Sequence, residues 1–300
     1  MEKVCIFGAG SFGRALEILL NSKDIVTSVW DRNKDMAECA EGAGWALFAV
    51  PAQSFRDVFS KADKVLPKEI KVINVAKGIE LGTLLRMSQI AEEIRPSVRY
   101  VCLSGPSHAE EVSVGLPTSV AVCSVDPELA RQAQDLFMTE WFRVYTQDDL
   151  VGTELGGSLK NIIALGAGIS DGMGFGDNTK AALMTRGMAE ITRLAVAMGA
   201  RPETFLGLTG VGDLIVTCTS RHSRNWRCGS LMGQGKTAEE AKAEIGMVVE
   251  GASTAFAAEA LAEKYGVEMP ITKVICRILR GTTDAAAGLR NLMTREKKAE

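Results

Sequence analysis

A doubly wound parallel α/β sheet followed by an all-helical domain is the architecture these 300 residues dictate. Three observations carry that reading. Through residues 1–147, short β-branched runs alternate with helical patterns, as in chains that build a parallel sheet with crossover helices. The first run leads straight into Gly8-Ala9-Gly10-Ser11-Phe12-Gly13 and then an amphipathic helix. Beyond Gln147 the texture changes to long alanine-, leucine- and methionine-rich helical patterns, which assigns residues 1–147 and 148–300 to separate domains.

In order, the runs predict strands at 3–7, 25–30, 45–50, 71–75, 99–103, 119–124 and 142–145. Helical spacing between them predicts helices at 12–21, 35–41, 54–61, 83–93, 107–114 and 127–138, with Gly and Pro marking junctions such as Val50-Pro51, Leu66-Pro67 and Gly105-Pro106. The second half predicts helices at 149–170, 178–198, 238–245, 252–265 and 271–280. The charged end from Arg295 is expected to fray. The cleft between the two halves is the default site.

Composition narrows the function. The chain is 46% hydrophobic and 24% charged, and its net charge of −3 provides no global field to attract nucleic acid or anionic lipid. Seven cysteines are scattered without a CxxC pair, which points to reduced, mostly buried thiols in the cytoplasm. Two histidines, His108 and His222, stand far apart in sequence, which argues against a histidine metal centre or a Ser-His-Asp triad, so no metal is expected. No apolar stretch is long enough for a signal peptide or a bilayer span, and no membrane insertion is expected.

The strand-then-GxGxxG-then-helix order specifies a Rossmann-like dinucleotide site. Gly8 permits the tight turn, Gly10 lets backbone approach a pyrophosphate, and Gly13 lets helix and strand pack closely. The helix N-terminus then presents free N–H groups and partial positive charge to the phosphates. The second strand ends at Trp30-Asp31-Arg32. Asp31 there suits the ribose hydroxyls of NAD and Arg32 the 2′-phosphate of NADP, and the choice between the cofactors stays open.

At the other end, the stretch LGGSLKNIIAL places Lys160 and Asn161 in the middle of an apolar helix, a turn after Gly156 and Gly157. A helical lysine usually snorkels to solvent. Lys77, in NVAKGIE, lies just past a strand at the carboxyl edge where open α/β sheets bind ligands; the alternative is a solvated loop lysine. Asp213 follows two glycines in LTGVGDL, a position suited both to a helix N-cap and to catalysis. The run SRHSRNWR is the densest cationic cluster. A nucleic-acid contact is one reading of it, and a compact phosphate monoester gripped by guanidinium is the favoured one.

Taken together, GAGSFG, AVPAQSF, VAKGIE, LSGPSHAEEV, ELGGSLKNIIALGAGISDGM, DNTKAALMTRGMAE, GLTGVGDLIVTCTSRHSRN and VVEG resemble the bacterial-type NAD(P)-dependent glycerol-3-phosphate dehydrogenases, in order and across almost the whole chain. The resemblance implies interconversion of dihydroxyacetone phosphate and sn-glycerol 3-phosphate for phospholipid synthesis, with NAD or NADP and no metal. It implies Lys160 as proton acceptor, Asp213 as its companion and Lys77 as a substrate-contacting lysine. Arg224 and Asn225 fall on the substrate-phosphate and cofactor contacts. Gly105, Ser107, Ala109, Ser223, Val248 and Glu250 fall on ligand positions, Ser11 and Phe12 on the cofactor loop, and Asn161 and Thr217 on further polar site positions. The expected partners are a small phosphate substrate and no nucleic acid, with a homodimer as the one assembly considered.

Gly156 and Gly157 lie on the Lys160 face of the helix, and their spacing suggests bare backbone clearing room for nicotinamide and substrate. Between Asp35 and Trp45 the chain is about thirty residues shorter than the resemblance implies, so Asp31 reaches the next strand in roughly a dozen residues, near the shortest workable parallel crossover. A sheet one strand smaller is therefore expected, with a short helix near 36–41, a more exposed adenine and weaker cofactor affinity. Ser158 stands where the resemblance implies alanine. Two alternatives remain in view: a relative of the 3-hydroxyacid or 6-phosphogluconate dehydrogenases, and a nucleotide-binding sensor without activity.

Overall fold

The computed structural model describes residues 2–296. Its strands are β1 (Lys3–Phe7), β2 (Val26–Trp30), β3 (Trp45–Phe48), β4 (Lys71–Asn74), β5 (Arg99–Ser104), β6 (Thr118–Cys123) and β7 (Phe142–Gln147). They form one sheet in the order β2-β1-β3-β4-β5-β6-β7. The order reverses between β1 and β3, so the crevice at their carboxyl ends is where such sheets take a ligand. The expected short crossover is present: between β2 and β3 the chain makes only the five-residue helix α2 (Met36–Ala40), capped by the Asp35 carboxylate.

One expectation is corrected. β6 runs antiparallel to β5, and β7 parallel to β6, so the last two strands oppose the first five. The link between β5 and β6 contains only the single-turn helix α5 (Ala109–Val112).

Helices α1 (Ser11–Asn21), α5 and α6 (Pro127–Phe137) supply one apolar layer, with Leu16, Val112 and Leu129 against the sheet. The other layer comes from α2, α3 (Ala52–Asp63) and α4 (Met87–Ile94) through Cys39, Phe55 and Ile90. β strands rich in Val, Ile and Phe are thereby buried on both faces, as a sheet wound on both sides requires.

The second half is built on α7 (Leu150–Gly172), whose residues 152–170 are all buried. Around it lie α8 (Asp177–Ala197), a 3₁₀ turn (Pro202–Leu206), a π-helical turn (Leu208–Gly212), α9 (Asp213–Thr219) and α10 (Arg224–Gly233). α11 (Ala238–Ile245), α12 (Glu250–Tyr265), α13 (Pro270–Leu279) and α14 (Ala285–Met293) complete it. α9, α10 and α14 are helices that the sequence patterns did not reveal. Glu190 of α8 is 2% exposed; burial, against the N–H groups of Ile271 and Thr272 that it accepts at the start of α13, pushes its carboxyl up to about 7.

α7 and α10 cross at backbone contact. A β-carbon on Gly168 would lie 2.0 Å from the Trp226 carbonyl oxygen, and one on Gly229 2.0 Å from that of Leu165. Neither neighbour is a flexible side chain, so any added atom must push the helices apart. Gly229→Ala is expected to destabilise the helical half by about 2–3 kcal/mol, the usual scale of overpacking. A urea titration followed by tryptophan fluorescence measures it.

Candidate active site

Lys160 does not snorkel. It is 5% exposed, and its Nζ donates to Asp213 Oδ1 at 2.5 Å and to Thr217 Oγ1 at 2.5 Å. The other carboxylate oxygen, Oδ2, accepts from Lys77 Nζ at 2.7 Å, and Lys77 also donates to the Gly105 carbonyl at 3.0 Å. A single buried carboxylate thus holds two ammonium groups, one from the loop after β4 and one from α7. Asp213 is not an N-cap. Gly212 takes that place, and a π-type bond from Gly212 N–H to Gly207 O precedes α9. π turns interrupt regular helices mainly at functional positions. Here the turn sets Asp213 at the first residue of α9, its side chain free for the lysines.

The electrostatics follow from that geometry. Burial drives the Lys160 ammonium down to about 8; Asp213 opposes the shift, and the second ammonium, Lys77, adds to it. For Asp213, burial pushes the carboxyl upward, but Lys160 and Lys77 outweigh it and hold the group below its ordinary value. The cluster carries net +1, with Lys160 and Asp213 buried and Lys77 partly exposed, a setting in which an anionic or partly anionic oxygen is favoured.

A second chain of contacts ties the helical half to the sheet. Asn225 Nδ2 donates to Asn161 Oδ1 at 2.9 Å, and Asn225 Oδ1 accepts from Gly251 N–H at 2.8 Å. Glu250, next in line, accepts from Ala52 N–H at 2.9 Å at the start of α3. Its other oxygen, Oε2, is buried without a partner. Glu154, also on α7, gathers Arg86, the backbone and hydroxyl of Ser88, and the Tyr100 hydroxyl. Reasoning from sequence missed Glu154, although the signal was available: like Lys160, it is a charge inside an apolar helix.

The nucleotide end is arranged as the motif implies. Gly8 has φ +121°, a backbone conformation that disfavours a side chain, and a β-carbon there would lie 2.4 Å from the Ala49 carbonyl. One on Gly13 would lie 2.1 Å from the Gly8 carbonyl, whereas Gly10 faces open space. No side chain caps the N-terminus of α1, where Ser11 and Phe12 begin the helix. This open, uncapped cradle fits a dinucleotide pyrophosphate. Asp31 follows β2 and accepts from Asn33 N–H; Arg32 is exposed.

Ala109 opens α5, and Ser107 donates to the Gly105 carbonyl. Ser223 caps α10 by accepting from Trp226 N–H, and Arg224 stands exposed at the first position of that helix. Val248 is 45% exposed on the loop before α12, outside the hydrogen-bonded cluster. The structure also joins the two histidines, whose ring centroids are 5.9 Å apart.

The clearance assigned to the α7 glycines is corrected. A β-carbon on Gly156 would meet the Thr209 carbonyl at 2.5 Å, and one on Gly157 the Ser104 hydroxyl at 2.6 Å with the Lys77 stem beyond it. Protein fills both spaces. These glycines let the π turn and the β5–Lys77 wall close onto α7, which is how Lys77 and Asp213 come within reach of Lys160.

A cavity of about 1110 Å³ lies elsewhere, between α7, α8, α13 and α14, with Met173, Leu183, Val274 and Leu292 among its walls. None of the lysine cluster lines it. Among the described residues, no group of three or more His, Cys, Asp or Glu side chains is placed to hold a metal, and no helix is long and apolar enough to cross a membrane.

The family described as NAD-dependent glycerol-3-phosphate dehydrogenase matches through its N-terminal part at residues 32–130 and its C-terminal part at 149–290. A glycerol-3-phosphate dehydrogenase [NAD(P)+] of Clostridium perfringens is 49% identical over 329 aligned residues, covering 100% of this chain and 99% of the relative. That alignment is longer than this 300-residue chain by about thirty positions, in keeping with the shortened crossover. The relative from Carboxydothermus hydrogenoformans is 47% identical over 99% of this chain and 98% of its own. The crystal structure of glycerol-3-phosphate dehydrogenase from Coxiella burnetii superposes with a TM-score of 0.93 at 32% identity, covering 98% of this chain and 99% of that one. With two family halves matched in order and nearly half of all positions shared along its full length, the chain belongs to the NAD-dependent glycerol-3-phosphate dehydrogenase family.

Proposed function

We propose that the protein interconverts dihydroxyacetone phosphate and sn-glycerol 3-phosphate, with NAD(P)H as hydride donor, as a cytoplasmic enzyme of phospholipid precursor synthesis. The observation that carries this reading is the buried Lys160–Asp213–Lys77 cluster at the carboxyl edge of a dinucleotide-type sheet. In this reading residues 1–147 hold the cofactor and 148–300 the substrate.

The nicotinamide supplies the hydride when bound; the chain supplies binding, orientation and the proton. Gly8, Gly10, Ser11, Phe12 and Gly13 would hold the pyrophosphate, Asp31 and Arg32 would meet the ribose end, and Ala109, Val248 and Glu250 would add further cofactor contacts. Lys160 is the proton donor and acceptor at the reacting oxygen. As an ammonium it polarises the ketone and protonates the alkoxide; as a free amine it accepts the alcohol proton. Asp213 and Thr217 orient its Nζ, and Lys77, held on Gly105, adds positive charge beside the reacting oxygen. Arg224, exposed and without an ion pair among the described residues, receives the substrate phosphate together with Ser107, Ser223 and Asn225. Asn161 locks Asn225 in place. Seven cysteines, all buried and unpaired, suit the cytoplasm.

The sensor alternative is discriminated directly. Lys160→Ala is expected to lower dihydroxyacetone phosphate-dependent oxidation of NADH or NADPH by about 10²–10⁴-fold while cofactor binding persists, as general acid–base groups typically contribute. Cofactor binding with no turnover in the wild type would instead indicate a sensor. Running the two reduced cofactors in parallel decides between Asp31 and Arg32 as the dominant selector.

The pH dependence has a definite sign. With Lys160 held near 8, kcat/KM for ketone reduction should fall above about pH 8 as the ammonium is lost. In alcohol oxidation it should rise through the same pH as the free amine forms. Asp213→Asn removes the charge that resists deprotonation, so both breaks move to lower pH.

Binding and chemistry should separate at Arg224. Arg224→Ala is expected to raise KM for dihydroxyacetone phosphate by about 10²-fold, the scale of a lost charge-assisted contact, with the NADH dissociation constant changed much less. Steady-state kinetics beside a fluorescence titration of NADH measure the two separately.

A further inference from the structure

His108 has no part in the machinery described above, although it stands beside it. It caps α5 at the end of the 105–109 loop, the same loop whose Gly105 carbonyl holds Lys77. Its Nε2 atom is buried with no hydrogen-bond partner. Unpaired buried polar atoms are rare in folded proteins, because each gives up its water without replacement. The ring lies against His222, centroid to centroid 5.9 Å, on the turn that runs into Ser223 and Arg224. Two segments 114 positions apart therefore bring paired imidazoles together, one on the loop that holds Lys77 and the other on the turn before α10.

We propose that His108 is a substrate-binding residue whose Nε2 hydrogen-bonds the phosphate of the substrate, with His222 closing the outer side of that contact. The inference rests on the functional reading above and names a recognition group that reading does not use. The field favours an anion here. The charges of Lys160 on α7 and Lys77 after β4 both act on the ring, that of Glu110 on α5 acts in the opposite sense, and the Val216 backbone of α9 and the His222 ring adjoin it. Burial first, then the Lys160 charge, hold His108 below its ordinary value, so the imidazole of the ligand-free protein is neutral near pH 7. A phosphate dianion reverses that balance by supplying the missing negative charge. His108 then takes up a proton, and Nε2 gains an acceptor for it.

The test compares His108→Phe, which preserves the ring packing, and His108→Gln, which restores a polar atom without a titrating one. His108→Phe should raise KM for dihydroxyacetone phosphate and the inhibition constant of inorganic phosphate together, each by about tenfold or more. kcat and NADH affinity should change by less than about twofold. His108→Gln should recover most of that loss at pH 8 while flattening the pH dependence of kcat/KM between about 5 and 7. Unchanged phosphate inhibition in His108→Phe overturns the proposal, as does an equal loss in NADH binding, which marks a structural role. If the wild type does not reduce dihydroxyacetone phosphate, the functional reading falls separately. Calorimetric binding of inorganic phosphate still decides this contact: weakened in His108→Phe it stands, and equal in both proteins it is overturned.

Discussion

The Asp213 carboxylate is shared between two ammonium groups, Lys160 buried and Lys77 partly exposed, that reach it from different halves of the chain, and this sharing constrains almost everything around it. Two like charges at hydrogen-bond range of one carboxylate repel each other by several kcal/mol even at an effective dielectric near 20. Only an oxygen between them makes the arrangement tolerable, and Asp213 supplies one oxygen to each. One positive charge is left uncompensated. That surplus adds to burial, the larger cause, in lowering the Lys160 ammonium. In the proposed reaction a developing alkoxide is the natural counter-charge, so the charge the cluster leaves uncompensated is the one that would stabilise it.

A cluster of this kind functions only if the elements carrying it are fixed, and the packing serves that end. α7 is buried along nearly its whole length and carries Glu154, Lys160 and Asn161 as three polar anchors in an apolar rod. Glu154 ties it to the β5 and α4 side through Tyr100, Ser88 and Arg86. Asn161 ties it through Asn225 to the start of α12. From there Glu250 returns to the backbone of α3, beside Ala49, which packs on Gly8. The Gly8–Gly13 turn and Lys160 are therefore connected by a short run of hydrogen bonds and backbone contacts. Each anchor satisfies buried polar groups that would otherwise cost more than an apolar substitute.

How much of this could be read from the sequence depended on whether the signal was local. The seven strands, the 8–13 turn and the abbreviated α2 crossover follow from periodicity and glycine spacing within a few residues, and the structure shows them where the patterns put them. α10 escaped because SRNWRCGSLMG alternates charge with glycine; its helicity comes from packing Gly229 and Gly233 onto α7, a partner about sixty positions away. The reversal of β6 is invisible to a period-two pattern, which records faces and not direction. Gly156 and Gly157 were legible as gaps, yet what fills them, Thr209 and Ser104, is known only after folding. The pairing of His108 with His222 was hidden for the same reason, since distance along the chain had argued against it.

The shortened crossover shows where this fold tolerates loss. β2 is the edge strand, and it pairs with β1 alone. The short crossover after it leaves the β1–β3 junction closed, with Gly8 packed on Ala49. Every group of the charge cluster comes from β4 onward, on the opposite side of that junction. A deletion at the edge can therefore alter how tightly the distal half of a dinucleotide is held without moving Lys160, Lys77 or Asp213. Binding energy from the remote end of a ligand and stabilisation at its reacting end are separable quantities. In this molecule they are also separated in space.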